Sequence, residues 1–418
     1  MGQNIKQIYV TLEILDNEIK ILVAEYYNTR FNILKLVRNK TNAIDKFNIV
    51  DKELLKNDIT NTIDECANKL GTKIEKVILI IPAYNFKRFP VKKIIIPSKG
   101  ILTKNDIAKA LSESLNEEVD DDVIAVNAMA SKYTINGIST RRLPEKEMCE
   151  EASVDIDLLC ADKQLVIDYV TILEEIGVEV IDIVLNTYAI SKEASLFEES
   201  LKQNVLLLDI QNNYSFLSLI NKGKLISTEI INECISKIAL YVRSTYEIPD
   251  EDINKLIKYD INYDASNLDD VIYAYNEANI TKTITINDLN NVCKDAIDGI
   301  VDKICVLSKD IIEEGANIFV TGEGEKINAL ISEIENRTNC DINRYYPEII
   351  GVRDPSLTSI YGALFAYHDK VMLYNLNVNC IDLLEYDTLI DQKQLDSEGE
   401  TLTTKIKNLF KQYIEKEK

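Results

Sequence analysis

Tryptophan is absent from this 418-residue chain, histidine occurs once and proline seven times. The lone His368 excludes every catalytic triad or metal site that needs a pair of imidazoles, and it reads as structural itself. No stretch approaches the roughly 18 consecutive apolar residues of a membrane-crossing helix. The N-terminus is polar and lacks the pattern of a cleavable leader, so the body of the protein is expected in the cytoplasm. Eight cysteines, at 66, 149, 160, 234, 293, 305, 340 and 380, form no C-x-x-C pair and no short metal-ligand spacing. They read as reduced small hydrophobes. Positive charge is scarce, 47 Lys and Arg against 69 Asp and Glu, a net charge of -22. No basic patch in the folded part offsets it, which argues against nucleic acid as a partner.

What is present is a globular composition, 46% hydrophobic and 28% charged, at a length that suits about two to four subdomains. Ile8 to Glu25 holds two apolar alternating stretches broken by Leu15-Asp16-Asn17-Glu18, which predicts a β-hairpin, and Phe31 to Val37 extends it to a meander. A helix is expected over Lys52 to Leu70, followed by a short, fully apolar strand from Val77 to Pro82. Organisation changes after Pro82. VKKIIIP reads as a strand, and Thr103 to Asp106 is a capping box opening a helix to about Leu115. Strands follow near 122–135 and 153–160, with a turn at Asn136-Gly137. These features make residues 84–161 a small α+β insertion.

From Asp162 the α/β pattern resumes: a helix over 163–176, a strand over 178–185 and a second helix to about Glu198. VLLLDI at 205–210 then opens another meander with a turn at Asn221-Lys222-Gly223, so one plan of three strands and then helices occurs twice. That duplication is the outline of an α/β, actin-like (ribonuclease H-like) ATPase fold. Helices alternating with irregular polar stretches are expected from 236 to about 314, including a second capping box at Thr285 to Asp288. ANIFVTGEG then predicts a buried strand ending in a glycine turn at a helix start, where backbone amides could hold a phosphate or ribose.

The tail inverts the charge. Residues 383–400 carry Glu385, Asp387, Asp391, Asp396, Glu398 and Glu400 against Lys393 and read as an acidic flexible linker. In 401–418, Leu402, Ile406, Leu409, Phe410, Tyr413 and Ile414 fall on one helical face about 140° wide, with Lys405, Lys407 and Lys411 among the residues around it. A basic amphipathic helix beyond such a linker is expected to lie in the interface of an anionic membrane. Its affinity is modest for one copy and firm for many copies on a filament.

The order of these features resembles the FtsA family of bacterial cell-division proteins. YVTLEILDNEIKILVAE matches the family's Y-V-G-L-D-I-G-T-S-K-I-K-A-L-V-G-E, and SKYTINGI stands where the family has a Tyr-Val-Asp-Gly turn. VIDIVLNTYAISKEASLFEESLKQNVLLLDI, VTGEGEKINAL and DPSLTSIYGALFAY continue the likeness, the last resembling a closing P-x-x-A-T-x-x-G-L helix. The resemblance implies subdomain 1A at 1–83 with 162–200, an inserted subdomain 1C at 84–161, 2A at 201–239 with 311–382, and 2B at 240–310. It further implies self-association into filaments and docking of the FtsZ C-terminal tail on 2B. The family's Pro-Arg pair there falls on Asp295 and Ala296, leaving Lys294 and Lys303 as substitutes.

The resemblance also implies ATP and magnesium clamped between two phosphate hairpins, with Glu13, Asp209, Ser215, Ser236, Asp252, Lys255, Thr321, Gly322 and Gly324 at the family's nucleotide positions. The hairpin glycines are replaced, by Leu15 in the first and by the Gln211 to Tyr214 run in the second. Bulky side chains there are expected to fill phosphate space, so ATP binding is expected to be weakened or absent and hydrolysis lost or very slow. Three readings stand: a membrane-bound division scaffold, a PilM-like cytoplasmic platform of type IV pili, and an active ATPase of the same fold.

Overall fold

The computed structural model describes residues 6–277 and 280–388; the amphipathic segment 401–418 lies outside the described residues. Strands β1 (Gln7–Ile14), β2 (Glu18–Tyr27) and β3 (Arg30–Lys40) are antiparallel neighbours, as the alternating pattern predicts. A ribbon of β4 (Ile44–Asp45) and β5 (Asn48–Ile49) leads into α1 (Lys52–Leu70). Asp51 caps α1 by accepting from the Leu54 amide, and Gly71 stops it with a left-handed φ of 81°. Strand β6 (Lys76–Ile81) then pairs parallel to β1.

Next come β7 (Lys87–Ile95), β8 (Ile101–Leu102), α2 (Lys104–Ser114), β9 (Val123–Ile135), β10 (Ile138–Thr140), β11 (Glu147–Met148) and β12 (Ala152–Asp162). Four of them form an antiparallel sheet in the order β10-β9-β12-β7, with α2 packed on it around Ile107, Leu111, Val154, Ile156 and Leu158. Pro90 is tolerated because β7 is an edge strand. The Thr103–Asp106 capping box is formed.

Helix α3 (Lys163–Glu175) and β13 (Glu179–Leu185) return the chain to the first sheet. The single helix expected to run to Glu198 is two, α4 (Asn186–Glu193) and α5 (Leu196–Glu199), because Ser195 takes a φ of 54° that a right-handed helix cannot include.

The second half repeats the first. Strands β14 (Val205–Ile210), β15 (Ser215–Asn221) and β16 (Lys224–Ile231) form the meander. Helices α6 (Ile235–Thr245) and α7 (Asp250–Tyr259) follow. The polar stretch expected to be irregular contains a hairpin, β17 (Val271–Glu277) and β18 (Ile280–Thr285), whose β-branched and aromatic residues outweigh its polarity. Then come α8 (Ile286–Glu313), capped by Thr285 and Asp288, β19 (Asn317–Thr321), a 3-10 turn at Glu323–Lys326, α9 (Asn328–Thr338) and β20 (Ile342–Arg344). A second 3-10 turn, Pro355–Leu357, enters α10 (Thr358–Tyr374).

The two main sheets have one topology, β3-β2-β1-β6-β13 and β16-β15-β14-β19-β20, each an antiparallel meander extended by two parallel strands. Strand period two decides what faces what. In β1, Ile8, Val10, Leu12 and Ile14 share a core with α1 and α3, while Tyr9 faces α10 and Thr11 donates to the Ile360 carbonyl at 3.1 Å. In β14, Leu206, Leu208 and Ile210 face α6, α8 and α9, whereas Val205 and Leu207 join the core of the first lobe. His368 is structural as expected: its ring centroid lies 3.8 Å from that of Tyr26.

The acidic segment expected to be a free linker from 383 begins as part of the body. Residues 383–388 are helical, Leu383 and Tyr386 pack on the first core, and Glu385 accepts from Thr72 at 2.9 Å. Two apolar side chains and that hydrogen bond outweigh the segment's charge.

Candidate functional site

Odd positions of β1 and β14 bring Glu13 and Asp209 toward the junction of the two lobes. Glu13 and Lys20 are directly opposed in the β1–β2 register, and the Lys20 ammonium lies 3.1 Å from the Glu13 carboxylate with both side chains buried. Lys20 also donates to the Ser356 carbonyl at 2.8 Å, and Ser359 donates its hydroxyl to Glu13. At the hairpin tip, Asp16 accepts from the Lys46 amide at 2.9 Å.

The second hairpin holds Asp209, which accepts from the Gln211 amide group at 2.6 Å. Burial pushes the Asp209 carboxyl up to about 7, with the nearby Glu13 charge adding to it and Gln211 and Lys20 opposing. Tyr214, one of the bulky residues of the second hairpin, is buried. It crosses into the first lobe, its ring centroid 4.4 Å from that of Phe47, and joins that lobe's core.

The glycine turn does not open an α-helix directly, as the sequence suggested; the 3-10 turn intervenes. Its backbone is spent on the protein. The Gly322 amide donates to the Pro355 carbonyl at 3.2 Å, and Thr321 donates its hydroxyl there at 3.0 Å. Gly322, at φ 84°, is required because a Cβ would meet the Ile210 carbonyl at 2.5 Å; at Gly324 a Cβ would meet the Ile210 side chain at 2.3 Å. The close approach that glycines give a phosphate is used here by strand β14.

The remaining nucleotide positions scatter. The Ser236 amide, at the start of α6, donates to the Asn212 carbonyl at 2.8 Å, so it is occupied by the second hairpin. Ser215 is buried in β15 with its hydroxyl unpartnered, as is Asp209 Oδ2. Asp252 accepts from the Tyr273 hydroxyl at 2.6 Å, and Lys255 pairs outward with Glu251 at 2.8 Å. Lys294 and Lys303 are exposed on α8.

Sequence reasoning missed the cations that matter. Glu323 is met by Lys258 at 2.7 Å, by Lys326 at 3.3 Å and, from the other lobe, by Arg38 at 3.3 Å. Burial alone would raise the Glu323 carboxyl; Lys326, Lys258 and Arg38 outweigh it and hold it well below the usual carboxylate range. Arg38 also grips Glu18 at 2.7 Å, and Lys326 reaches Asp354 at 2.7 Å. Lys20 was readable, since a hairpin pairing residue 14 with 19 must pair Glu13 with it. Lys258 carried no such signal, because its partner is 65 residues away.

ATP and magnesium do not fit these residues. Glu13 is paired with Lys20, Asp209 accepts from Gln211, the Ser236 amide is taken by Asn212 and the Gly322 amide by Pro355, while the unpartnered Asp209 Oδ2 is an acceptor that a phosphate oxygen cannot use. Among the described residues no cluster of three or more His, Cys, Asp or Glu is placed to hold a metal ion.

No protein-family model matches the chain. Relatives by sequence nonetheless run nearly its whole length. Cell division protein FtsA of Bacillus subtilis is 20% identical over 370 residues, covering 86% of this chain and 83% of the relative. Cell division protein FtsA of Enterococcus faecalis is 19% identical, covering 96% of this chain and 98% of its own. The chain is a diverged FtsA-like protein. Solved structures agree on the fold of this FtsA-like chain. MreB5 of Spiroplasma citri bound to ADP matches with a TM-score of 0.52 at 13% identity, over 88% of this chain and 99% of that one. The PilM-PilN type IV pilus biogenesis complex matches with a TM-score of 0.57 at 11% identity, over 85% and 97%. The FtsA-like chain therefore has the duplicated actin-like fold.

Proposed function

We propose that this chain is a scaffold of bacterial cell division that holds FtsZ-type filaments to the inner face of the cytoplasmic membrane at the division site. The observation that carries this reading is likeness to FtsA proteins along nearly the full length of both chains, 96% and 98% for the Enterococcus faecalis relative. In this reading residues 84–161 act as subdomain 1C in self-association, and 240–310 act as 2B and receive the FtsZ tail near Lys294 and Lys303. The helix formed by Leu402, Lys405, Ile406, Lys407, Leu409, Phe410, Lys411, Tyr413 and Ile414 inserts among anionic lipids. No described helix is long and apolar enough to cross a membrane. Hydrolysis of ATP is lost or very slow.

Flotation with anionic liposomes tests this, using the full chain and a chain ending at residue 400. Flotation of the full chain alone supports the reading; flotation of both, or of neither, counts against it. Pull-down from the native cytoplasm separates the second reading, a pilus platform, by whether an FtsZ-like protein or a pilus component is recovered. That second reading draws on a groove of about 420 Å³ between the inserted sheet and α10, lined by Leu111, Met129, Tyr188 and Leu373, which could take a partner's extended segment.

A further inference from the structure

We propose that the Glu323 carboxylate is a built-in anion in the glycine turn that the resemblance places at the nucleotide, so that the chain joins its two lobes with its own charges and needs no nucleotide to do so. Three cations from three elements converge on this one side chain: Arg38 from β3, Lys258 from α7 and Lys326 from the turn after Gly322. Such convergence on an anion is what a phosphate requires. Here the anion is covalently part of the chain.

Charge balance shows why no second anion is called for. Arg38 is shared with Glu18, Lys326 with Asp354, and Lys20 is paired with Glu13. Arg38, Lys258, Lys326 and Lys20 thus face Glu18, Glu323, Asp354 and Glu13, four charges of each sign, with Asp209 near Glu13 as a further acid. A triphosphate entering this cluster would meet no surplus positive charge, in a protein whose net charge is already -22. Within this cluster the pair that crosses between lobes is Arg38–Glu323, supported by the Lys20 donation to the Ser356 carbonyl and the Arg38 donation to the Ser356 hydroxyl at 3.2 Å. A nucleotide would have to displace all of these.

Glu323→Gln removes the anion and leaves one uncompensated positive charge in an enclosed cluster. Thermal midpoints of the full chain and of Glu323→Gln are to be measured with Mg-ATP, with sodium pyrophosphate, and with sodium chloride at matched ionic strength. The expected result is a wild-type midpoint that neither Mg-ATP nor pyrophosphate moves beyond the sodium chloride control. The Glu323→Gln midpoint is expected several degrees lower and to recover in part with pyrophosphate, saturably, but not with sodium chloride. A wild-type midpoint raised saturably by Mg-ATP would overturn the proposal. So would a Glu323→Gln midpoint equal to wild type, or one indifferent to pyrophosphate. Should Glu323→Gln not fold, Lys258→Gln takes its place: it leaves an excess of negative charge, so a lowered midpoint unmoved by pyrophosphate supports the proposal and a raised one defeats it. Loss of the membrane role would leave this network intact, and failure of the network would leave flotation intact.

Discussion

Lys20 and Glu13 face each other across the first hairpin, 3.1 Å apart, with side chains only 1% and 3% exposed. Charges so deeply placed are stabilised by each other, and removing one strands its partner. Lys20→Met is expected to lower unfolding free energy by about 3–5 kcal/mol. The double variant Glu13→Leu with Lys20→Met should regain much of that, and a denaturant double-mutant cycle reads the coupling. Additive losses would show that the pair is not a coupled unit.

Asp209 gives the protein a pH dependence of definite sign. Its folded value of about 7 lies above the ordinary 3.8, so the folded state binds the proton more tightly. Its contribution to stability is therefore fully present at acid pH and is lost as pH rises toward 7. Asp209→Asn keeps an oxygen for Gln211 and removes the buried charge. It should stabilise the protein by about 2–4 kcal/mol near pH 8, an advantage that fades toward pH 4. Urea midpoints of both proteins across that range test it; a constant difference would show that Asp209 is ordinary.

Tyr214 is buried between Phe47 and Phe216 with its hydroxyl unpartnered. Tyr214→Phe should be neutral or stabilising by about 1 kcal/mol, because it deletes an unsatisfied polar group. Tyr214→Ala should cost about 3–5 kcal/mol through the cavity it leaves between lobes. A loss in the phenylalanine variant would reveal a partner for the hydroxyl.

Gly362 lets α10 sit directly on α4: a Cβ there would lie 2.2 Å from the Ala189 carbonyl oxygen. Backbone cannot yield as a flexible side chain can. Gly362→Ala is expected to lower stability by about 1–3 kcal/mol, read as a lower thermal midpoint with secondary structure retained.

Strands and helices of this protein were legible wherever local chemistry agreed with tertiary burial. Strand β1 alternates between two different cores, and α1 carries its cap and its stop in Asp51 and Gly71, so both followed from pattern alone. The β17–β18 hairpin was obscured by its exposed, polar setting, and the break at Ser195 had no glycine to announce it. At the lobe junction, the substituted glycines were visible in the sequence but the ion pairs beside them were not, because Arg38, Lys258 and Glu323 meet only through the packing of distant elements. The size of Tyr214 was plain in the sequence, but its direction is set by Phe47.

Strand β3 lies at the outer border of the first sheet and carries Arg30, Lys35, Arg38 and Lys40 in a chain otherwise rich in acids. Its free backbone groups form a template for another strand, yet a second β3 laid against it would bring lysine beside arginine. Copies of this protein are thereby steered away from zippering border to border, and any ordered array must be assembled through other faces.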